Sequence, residues 1–335
     1  MPGDGIGREV MPEGLRVLEA AARRFDIELR ITPIDWANCD WYARHGSMLP
    51  GDWKRQLDGM DAIYFGAVGW PSAVPDRISF GETLLTFRRE LEHYVKLRPV
   101  RLFDGVPCPL AGRKAGDIDF LVLRENTEAA PPASERGRRT ADLALQFAFE
   151  LALSRDRHHL TVATKCDPAA PMPPTWDERA DAMAERYPEI VVDKQPIDTL
   201  CARFVLQPAR FDVVVASSAV GDILSDLGPA CTGTIALAPS ASLNPQRRFP
   251  SLFEPMHGSA PDISGRNLAN PVAMIWSGAL MLDFLGRGQG PCRAAHDAIL
   301  HAIEAVLVEG PHTPDLGGGA STTDVGRAVA ERLLR

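Results

Sequence analysis

The sequence lacks the features of a membrane or secreted protein. No apolar run approaches the roughly 20 residues that a membrane-spanning helix needs. Residues 1–5 carry neither a positive segment nor an apolar one, so no signal peptide is predicted. Only six of the 335 residues are cysteines, and their spacing is not that of a metal site. These absences predict a reduced, cytoplasmic protein whose thiols mainly fill the core.

Basic residues are also fewer than acidic residues in this chain. The chain has 36 Lys and Arg against 44 Asp and Glu, a net charge of −8, which argues against a nucleic-acid-binding surface. Hydrophobic residues make up 45% of the chain, enough for a sizeable core. Its length suffices for two domains or one large α/β unit.

Segments with strand and helix patterns alternate along the chain. Alternating or continuous apolar residues predict strands at residues 27–31, 62–69, 120–123, 160–164 and 213–216. Apolar positions at helical spacing predict helices at residues 10–25, 84–94, 143–153, from about 222, and 271–285. Strands interleaved with helices indicate an α/β protein whose sheet is largely covered. No clean linker interrupts the chain, so two domains would share the sheet.

A glycine-rich turn, Gly3-Asp4-Gly5-Ile6-Gly7, precedes the first predicted helix. Such a turn at a helix N-terminus can receive a phosphate or the nicotinamide end of a cofactor. It lacks the GxGxxG spacing and a preceding strand, so the ordinary dinucleotide fingerprint does not apply. A plain turn is the alternative.

Two acidic residues four apart follow the clearest buried strand. Asp222 and Asp226 would lie on one helix face, where like charges repel unless something positive sits between them. Mg²⁺ or Mn²⁺ accepts one or two carboxylates together with substrate oxygens. The carboxyl ends of strands are also where α/β proteins build their sites. A solvated acidic face is the alternative.

Three arginines and one lysine lie near the ends of predicted elements. Arg88, Arg98 and Arg124 would suit a di-acid substrate if they converge, because guanidinium groups bind carboxylates with paired hydrogen bonds. Each one alone is more often a partner in a surface salt bridge. Lys165 ends an apolar strand, where partial burial would make it an acid/base group, although most lysines at strand ends simply face water.

Residues 257–263 form a loop of mainly small residues. The carboxylate of Asp262 can accept hydrogen bonds from the two hydroxyls of a ribose. It would also repel a 2′-phosphate, which favours NAD over NADP. As seven isolated residues, the segment also fits an ordinary loop.

Taken together, these segments resemble the isocitrate/isopropylmalate dehydrogenase family, and within it the tartrate/D-malate dehydrogenase branch. The resemblance covers nearly the whole chain. It is most specific between residues 197 and 286, in the segments 221–227, 253–263 and 267–271. Leu97-Arg98-Pro99 and the segment 124–128 match two substrate-binding signatures of the family.

The resemblance implies an α/β fold of two domains with a large mixed sheet and an active site in the cleft between them. One domain would combine residues 1–95 and 236–335 and bind the cofactor. The other, residues 96–235, would bind substrate and metal and would form the interface of a homodimer.

The resemblance also implies roles for individual residues. Arg88, Arg98 and Arg124 would bind the carboxylates of a small 2-hydroxy di-acid such as tartrate or D-malate. Asp222 and Asp226 would bind Mg²⁺ or Mn²⁺. Asp198 would complete the metal site and Lys165 the acid/base apparatus, both from the partner subunit. The adenosine half of NAD would contact a larger group, namely His257, Gly258, Ser259, Ala260, Asp262, Ile263 and Asn270.

The implied reaction begins with oxidation of the hydroxyl by NAD⁺. The β-keto acid can then lose CO₂ because the metal stabilises the developing enolate. A general acid must protonate that enolate.

Departures from the family pattern surround this chemistry. The family has a strand before the glycine-rich turn, which here starts at residue 3, and this suggests an upstream start or a truncated chain. The segment after Glu128 is short and lacks the tyrosine expected as general acid. Cys166-Asp167 replace a serine-asparagine pair, and Asp167 would raise the pKa of Lys165.

Two further positions differ from the family pattern. Ser218 stands where an asparagine is expected just before the metal-binding residues. Gly81 replaces a bulky aromatic residue, which would leave room for a larger group on the substrate.

Three interpretations stay open. The first is a working dehydrogenase, either with the full reaction or with good oxidation and poor protonation of the enolate. The second is a repurposed or catalytically impaired relative that binds acid, metal or nucleotide without full turnover. The third is a non-redox lyase acting on a β-keto acid, against which the adenosine loop argues.

Overall fold

The computed structural model describes residues 1–126, 134–164, 175–233 and 235–335. Within these ranges the chain forms eight strands, all in one sheet: β1 (Ala62–Tyr64), β2 (Val95–Arg101), β3 (Asp119–Glu125), β4 (His159–Thr164), β5 (Val191–Pro196), β6 (Val213–Ala216), β7 (Pro239–Leu243) and β8 (Ser251–Pro255).

The sheet is mixed, in the order β1-β8-β7-β2-β3-β6-β4-β5. β2 is antiparallel to both of its neighbours, β7 and β3, and β7 is antiparallel to β8. The remaining pairs are parallel. The predicted α/β fold with a large mixed sheet is therefore confirmed. β2 lies near the middle and joins the two halves of the sheet.

Helices cover both faces of this sheet. Their bounds are α1 (Gly7–Phe25), α2 (Cys39–His45), α3 (Trp53–Gln56), α4 (Asp76–Ser79), α5 (Thr86–Glu90), α6 (Glu135–Leu153), α7 (Thr175–Ala184), α8 (Ile197–Leu206), α9 (Ser218–Ala230), α10 (Val272–Leu285), α11 (Gly290–Glu309) and α12 (Thr322–Leu334). A π-helical turn, Gly81–Leu85, runs directly into α5. No helix in the described ranges is both long and apolar enough to cross a bilayer.

One face of the sheet is apolar throughout, whereas the other is divided. The first face packs Val95, Leu97 and Leu123 into a continuous core with α1, α6 and α10. On the second face, one apolar cluster lies around α9 and another around Phe87 of α5. Side chains alternate between the faces with a period of two. Lys96 and Arg98, between apolar neighbours on β2, therefore face the gap between these two clusters, which we call the cleft.

Most of the predicted elements are present, but two predictions are wrong. Residues 27–31 form no strand, and Ile31 is 43% exposed. Alternation alone does not make a strand, and this segment has no neighbouring strand among the described residues to satisfy its backbone groups. The helix predicted to reach Tyr94 ends at Glu90, because Glu92 has φ 50° and breaks it before β2.

Four strands went unpredicted: β2, β5, β7 and β8. In β2 and β7 the buried residues that face the cleft are polar, which hides the apolar pattern of a strand. The division into domains of residues 1–95 plus 236–335 and 96–235 stays a prediction.

Candidate active site

The register of the sheet gathers the charged residues of the cleft. Lys96 on β2 lies opposite Arg124 on β3 and opposite Ser242 on β7. Arg98 follows two residues later on the same face. All three cationic side chains are buried. Burying several positive groups together is costly unless negative groups accompany them.

Helix α9 supplies two of these negative groups. Asp222 and Asp226 lie one turn apart and reach over the cleft, where Asp226 pairs with Arg98 and Asp222 lies 2.5 Å from Nη1 of Arg124. Their side chains stay 59% and 62% exposed, while the arginines are buried. The positive charge that the acidic pair requires is thus supplied by two guanidinium groups. Ser225 adds to this contact by accepting a 2.8 Å hydrogen bond from Arg98.

The start of α9 is shaped to let Arg124 approach. Ser218 Oγ accepts a 3.3 Å hydrogen bond from Nη2 of Arg124, so the residue that departs from the family pattern takes part in the cluster. A Cβ at position 221 would lie 2.6 Å from Cγ of Arg124. Gly221 is therefore the residue that allows this close packing.

Arg88 enters the same region from α5. It is buried, and its guanidinium lies over the ring of Phe80, 5.3 Å from the centroid. The π-helical turn before α5 sets the direction of this short helix, and such turns are frequent at functional sites. The three arginines that the sequence singled out therefore surround one cleft, while their role toward a substrate stays a prediction.

Lys96 is a buried residue of the cleft that the sequence predictions missed. Its Nζ lies 3.9 Å from Oε1 of Glu254 on β8. Burial, together with the neighbouring Arg88, Arg98 and Arg124, holds the pKa of Lys96 well below its usual range, against the opposing effect of Glu254. The signal was available in the sequence, since a lysine two residues before Arg98 in an otherwise apolar run must share its face.

Asp198 does not join this cluster. It is exposed in the first turn of α8, where its Oδ1 accepts a 2.7 Å hydrogen bond from the backbone N–H of Thr199. Within the described ranges no three His, Cys, Asp or Glu residues are placed to hold a metal ion together. The predicted acid/base residue Lys165, with Cys166 and Asp167, lies outside the described residues. The expected contribution of Asp198 and Lys165 from a partner subunit stays a prediction.

The two loops with predicted cofactor roles lie against each other. The carbonyl of Ser259 accepts a 2.9 Å hydrogen bond from the N–H of Ile6, and a Cβ on Gly5 would fall 2.0 Å from the same oxygen. Gly5 has φ +52°, so glycine is needed here for both conformation and space. Glu9 of α1 accepts further hydrogen bonds, each 2.6 Å long, from the N–H groups of Gly265 and Asn267.

The side chains of residues 257–263 differ in their exposure. Gly258 and Asp262 are exposed, Ser259 is buried, and Ala260 and Ile263 pack beside the apolar start of α1. Burial lowers the pKa of His257, whose Nδ1 lies 2.9 Å from the carbonyl oxygen of Gly258. That carbonyl can only accept, so Nδ1 carries the proton and the buried Nε2 is an acceptor. Nε2 has no hydrogen-bond partner among the described residues.

Asn270 has a structural task at the start of α10. Its Oδ1 accepts a 3.0 Å hydrogen bond from the N–H of Val272, and its Nδ2 donates to Asp315 at 3.0 Å. This arrangement satisfies an N–H group of the first helical turn. A contact of Asn270 with a cofactor stays a prediction.

Asp4 is a second important residue that the sequence predictions passed over. Its carboxylate is almost fully buried and accepts 2.9 Å hydrogen bonds from the N–H groups of Cys39 and Gly69. The hydroxyl of Ser259 in turn donates to the carbonyl of Gly69. One carboxylate therefore connects the glycine-rich turn, the start of α2 and the loop after β1. Gly69 extends the connection to the 257–263 loop.

A family model described as isocitrate/isopropylmalate dehydrogenase matches residues 1–329. The chain belongs to the isocitrate/isopropylmalate dehydrogenase family. D-malate dehydrogenase [decarboxylating] from Escherichia coli (strain K12) is 59% identical over 100% of this chain and 98% of its own length. Tartrate dehydrogenase/decarboxylase from Pseudomonas putida is 58% identical over 100% and 97% of the two chains.

Solved structures of this family agree with the fold. Isocitrate dehydrogenase from Methylococcus capsulatus superposes with a TM-score of 0.81 at 27% identity, covering 100% of this chain and 98% of the other. A β-decarboxylating dehydrogenase from Thermococcus kodakarensis gives a TM-score of 0.76 at 28% identity, over 99% and 94% of the two chains.

These matches confirm the resemblance and the prediction that the chain is a dehydrogenase of the isocitrate/isopropylmalate family. They give no support to the alternative of a repurposed or catalytically impaired relative. The individual site residues are not tested by them.

Proposed function

We propose that this family member oxidises and decarboxylates a small 2-hydroxy di-acid, D-malate or tartrate, using NAD and Mg²⁺ or Mn²⁺. The observation that carries the proposal is the set of pairs across the cleft, Arg98 with Asp226 and Arg124 with Asp222. In these pairs buried guanidinium groups, which can bind carboxylates, lie directly beside exposed carboxylates, which can bind a cation. The names of the two relatives described above, D-malate dehydrogenase [decarboxylating] and tartrate dehydrogenase/decarboxylase, supply the substrates.

The arginines bind and orient the substrate in this proposal. The carboxylates of a di-acid would replace Asp226 and Asp222 as the partners of Arg98 and Arg124. The two aspartates could then bind a cation. The exchange costs little because each arginine keeps an anionic partner and stays buried. Arg88, on the opposite wall of the cleft, adds a third guanidinium for the second carboxylate.

The donor set of α9 fits a hard divalent cation. Asp222 and Asp226 offer exposed carboxylate oxygens on one helix face, and Mg²⁺ is usually bound through one or two carboxylates together with substrate oxygens. Such an ion, when bound, polarises the substrate oxygens and stabilises negative charge on them. We assign Asp198 of a second copy as a further ligand.

The 257–263 loop fits the adenosine half of NAD. The buried Nε2 of His257 is an acceptor with no partner among the described residues, as the amino group of an adenine requires. Gly258 has open space around the position of a Cβ. The exposed carboxylate of Asp262 can accept hydrogen bonds from a ribose and repels a 2′-phosphate, which favours NAD over NADP.

A homodimer belongs to the proposal. Leu206 of α8 and Ile223 of α9 are exposed apolar residues on two helices that pack against each other. These helices also carry Asp198, Asp222 and Asp226. A second copy on this surface would bury the apolar residues and bring Asp198 and the acid/base group Lys165 to the neighbouring cleft.

We also place the enzyme in the cytoplasm. The five described cysteines are free thiols, as a reducing compartment maintains them.

The test is NADH formation by the purified protein with Mn²⁺ and NAD⁺, on D-malate, tartrate, isopropylmalate and isocitrate. We expect turnover of D-malate or tartrate, and its loss by a factor of a hundred or more in Asp222→Asn. Asp58→Asn, an exposed aspartate away from the cleft, is the matched control and should keep wild-type rates. Turnover by Asp222→Asn at the wild-type rate would contradict the role of α9, and no turnover of any di-acid would contradict the proposed reaction.

A further inference from the structure

Four polar residues form a patch over β7, at the side of the arginine cluster. Lys96 on β2 lies opposite Ser242, and Glu254 on β8 lies opposite Ser240. Ser240 and Ser242 are two residues apart on β7 and share its cleft face. Lys96, Ser240, Ser242 and Glu254 are called the β7 floor below.

The hydrogen-bonding capacity of the β7 floor is not used up within the chain. The hydroxyls of Ser240 and Ser242 are buried and have no hydrogen-bond partner among the described residues. Nζ of Lys96 and Oε1 of Glu254 are 3.9 Å apart, which is beyond the length of a hydrogen bond. Buried polar groups normally have partners, so two unpartnered hydroxyls beside a charged pair too far apart for a hydrogen bond indicate a site that a polar group completes.

Only a small part of the β7 floor is exposed in the cleft. The side chains of Lys96 and Glu254 are 7% and 9% exposed, so a small group on a molecule bound to the arginines can touch them. One oxygen atom can form hydrogen bonds of about 2.8 Å to both Nζ of Lys96 and Oε1 of Glu254, because these two atoms are 3.9 Å apart. A larger substituent would force the two charged groups apart.

The chemistry of the β7 floor selects a hydroxyl over a carboxylate. The floor offers an acceptor in Glu254, donors in Lys96, and hydroxyls that do both. A carboxylate would meet Glu254 as a like charge. Lys96 offsets this less than an exposed lysine would, because burial and the neighbouring guanidinium groups lower its pKa. An alkyl group would leave all four groups unsatisfied.

We propose that Lys96 is a specificity-determining residue that, with Glu254 and the serines of β7, hydrogen-bonds a second hydroxyl of a di-acid held by Arg98 and Arg124. The inference rests on the proposed function, since the arginines must first bind a di-acid. It favours dihydroxy di-acids over those with hydrogen or an alkyl group at the same carbon.

The test compares substrates that differ in this one group. Tartrate carries the second hydroxyl, malate has hydrogen there, and 3-methylmalate has a methyl group of similar size. The ratio of kcat/KM for tartrate to that for malate is measured in the wild type and in Lys96→Met. We expect the ratio to fall at least tenfold in the variant, and turnover of 3-methylmalate to rise relative to that of malate.

Two further variants separate the hydrogen bond from a role in folding. Lys96→Gln keeps an N–H donor and should keep most of the ratio. Ser242→Ala leaves Lys96 in place and should lower the ratio in the same direction by a smaller factor. Lys114→Met, on an exposed loop, is the matched control and should change nothing.

An unchanged ratio in Lys96→Met overturns the inference, as does an equal loss with tartrate and malate, which would indicate a purely structural role. Failure of the wild type to oxidise either di-acid would instead count against the proposed function. In that case the ratio of the two dissociation constants, measured by titration calorimetry, gives the same comparison. A ratio that Lys96→Met leaves unchanged then overturns the inference.

Discussion

The carboxylate of Asp4 is expected to stabilise the side of the cleft that we propose binds NAD. It accepts hydrogen bonds from the N–H groups of Cys39 and Gly69, and it is 2% exposed. The thiol of Cys39 also donates to it, and burial followed by this contact raises the pKa of the thiol to about 12. A single side chain therefore satisfies three donors from two loops.

The cost of Asp4→Asn follows from these contacts. An asparagine keeps one acceptor oxygen but turns an N–H₂ group toward the other donors, so at least one buried N–H loses its partner. Hydrogen bonds to a charged group contribute about 1.5–3 kcal/mol each, and an unsatisfied buried group costs about as much. We expect a loss of about 2–3 kcal/mol in the free energy of unfolding, or on the order of 5 °C in Tm.

Asp4→Asn should affect the binding of NAD⁺ more than the binding of the di-acid. Gly69, held by Asp4, accepts a hydrogen bond from Ser259 in the 257–263 loop. Asp4→Asn should therefore raise KM for NAD⁺ more than KM for the di-acid.

Asp40→Asn is the matched control for Asp4→Asn. Asp40 lies just after Cys39 but is exposed and paired with the exposed Arg8, so its removal should change neither Tm nor KM appreciably. Tm from circular dichroism and initial rates at varied NAD⁺ measure both effects. If the two variants share the same Tm and the same KM for NAD⁺, the carboxylate of Asp4 does not hold these loops together.

Two further predictions concern the subunit arrangement and acid stability. If Asp198 acts across a dimer, mixing and refolding the inactive variants Asp198→Asn and Asp222→Asn should restore about one quarter of wild-type turnover. Half of the dimers are then mixed, and each mixed dimer has one intact site out of two. No recovery of turnover would place both residues in one subunit's site. His93 is fully buried with Nε2 2.8 Å from the carbonyl oxygen of Pro250, and burial lowers its pKa to about 4. The folded state therefore binds fewer protons than the unfolded state between pH 6.5 and about 4, so this histidine should cost about 3 kcal/mol of stability as the pH falls through that window. Denaturant unfolding from pH 7 to 4 should show a smaller loss in His93→Gln than in wild type, and equal losses would contradict this assignment.

The parts of the fold that could be predicted are the strands that carry apolar residues on both faces of the sheet. β6 is a run of apolar residues and β4 carries apolar residues on both faces, and the sequence predicted the two strands nearly to the residue. β2 and β7 were missed because one of their two faces carries Lys96, Arg98, Ser240 and Ser242. A strand that lines a polar cleft resembles an exposed strand or a loop in the sequence, since the pattern cannot tell a cleft from solvent.

The candidate site could be predicted from the sequence for those residues that belong to recognisable sequence motifs. Asp222, Asp226 and the arginines were all named from the sequence, and the structure brings them into one cleft. The pairing of aspartates with arginines was not predictable, because it depends on β2 lying beside β3 and on α9 crossing above them. Asp4 was hidden for the same reason, since its partners Cys39 and Gly69 are distant in the sequence.

The position of these residues on regular elements also determines how robust the site is. Arg98 and Arg124 are fixed by the register of β2 and β3, in which a shift by one residue would turn every side chain to the opposite face. Asp222 and Asp226 are fixed by the 3.6-residue turn of α9. The four side chains that we propose bind the di-acid and the cation are therefore all carried by regular elements. The departures from the family pattern after Glu128 and at residues 166–167 are outside β2, β3 and α9 in the sequence, so we expect them to affect the proposed proton transfer rather than the proposed binding of di-acid and cation. Turnover by Asp222→Asn tests the proposed role of α9, and the mixing experiment tests whether Asp198 acts in the neighbouring subunit's site.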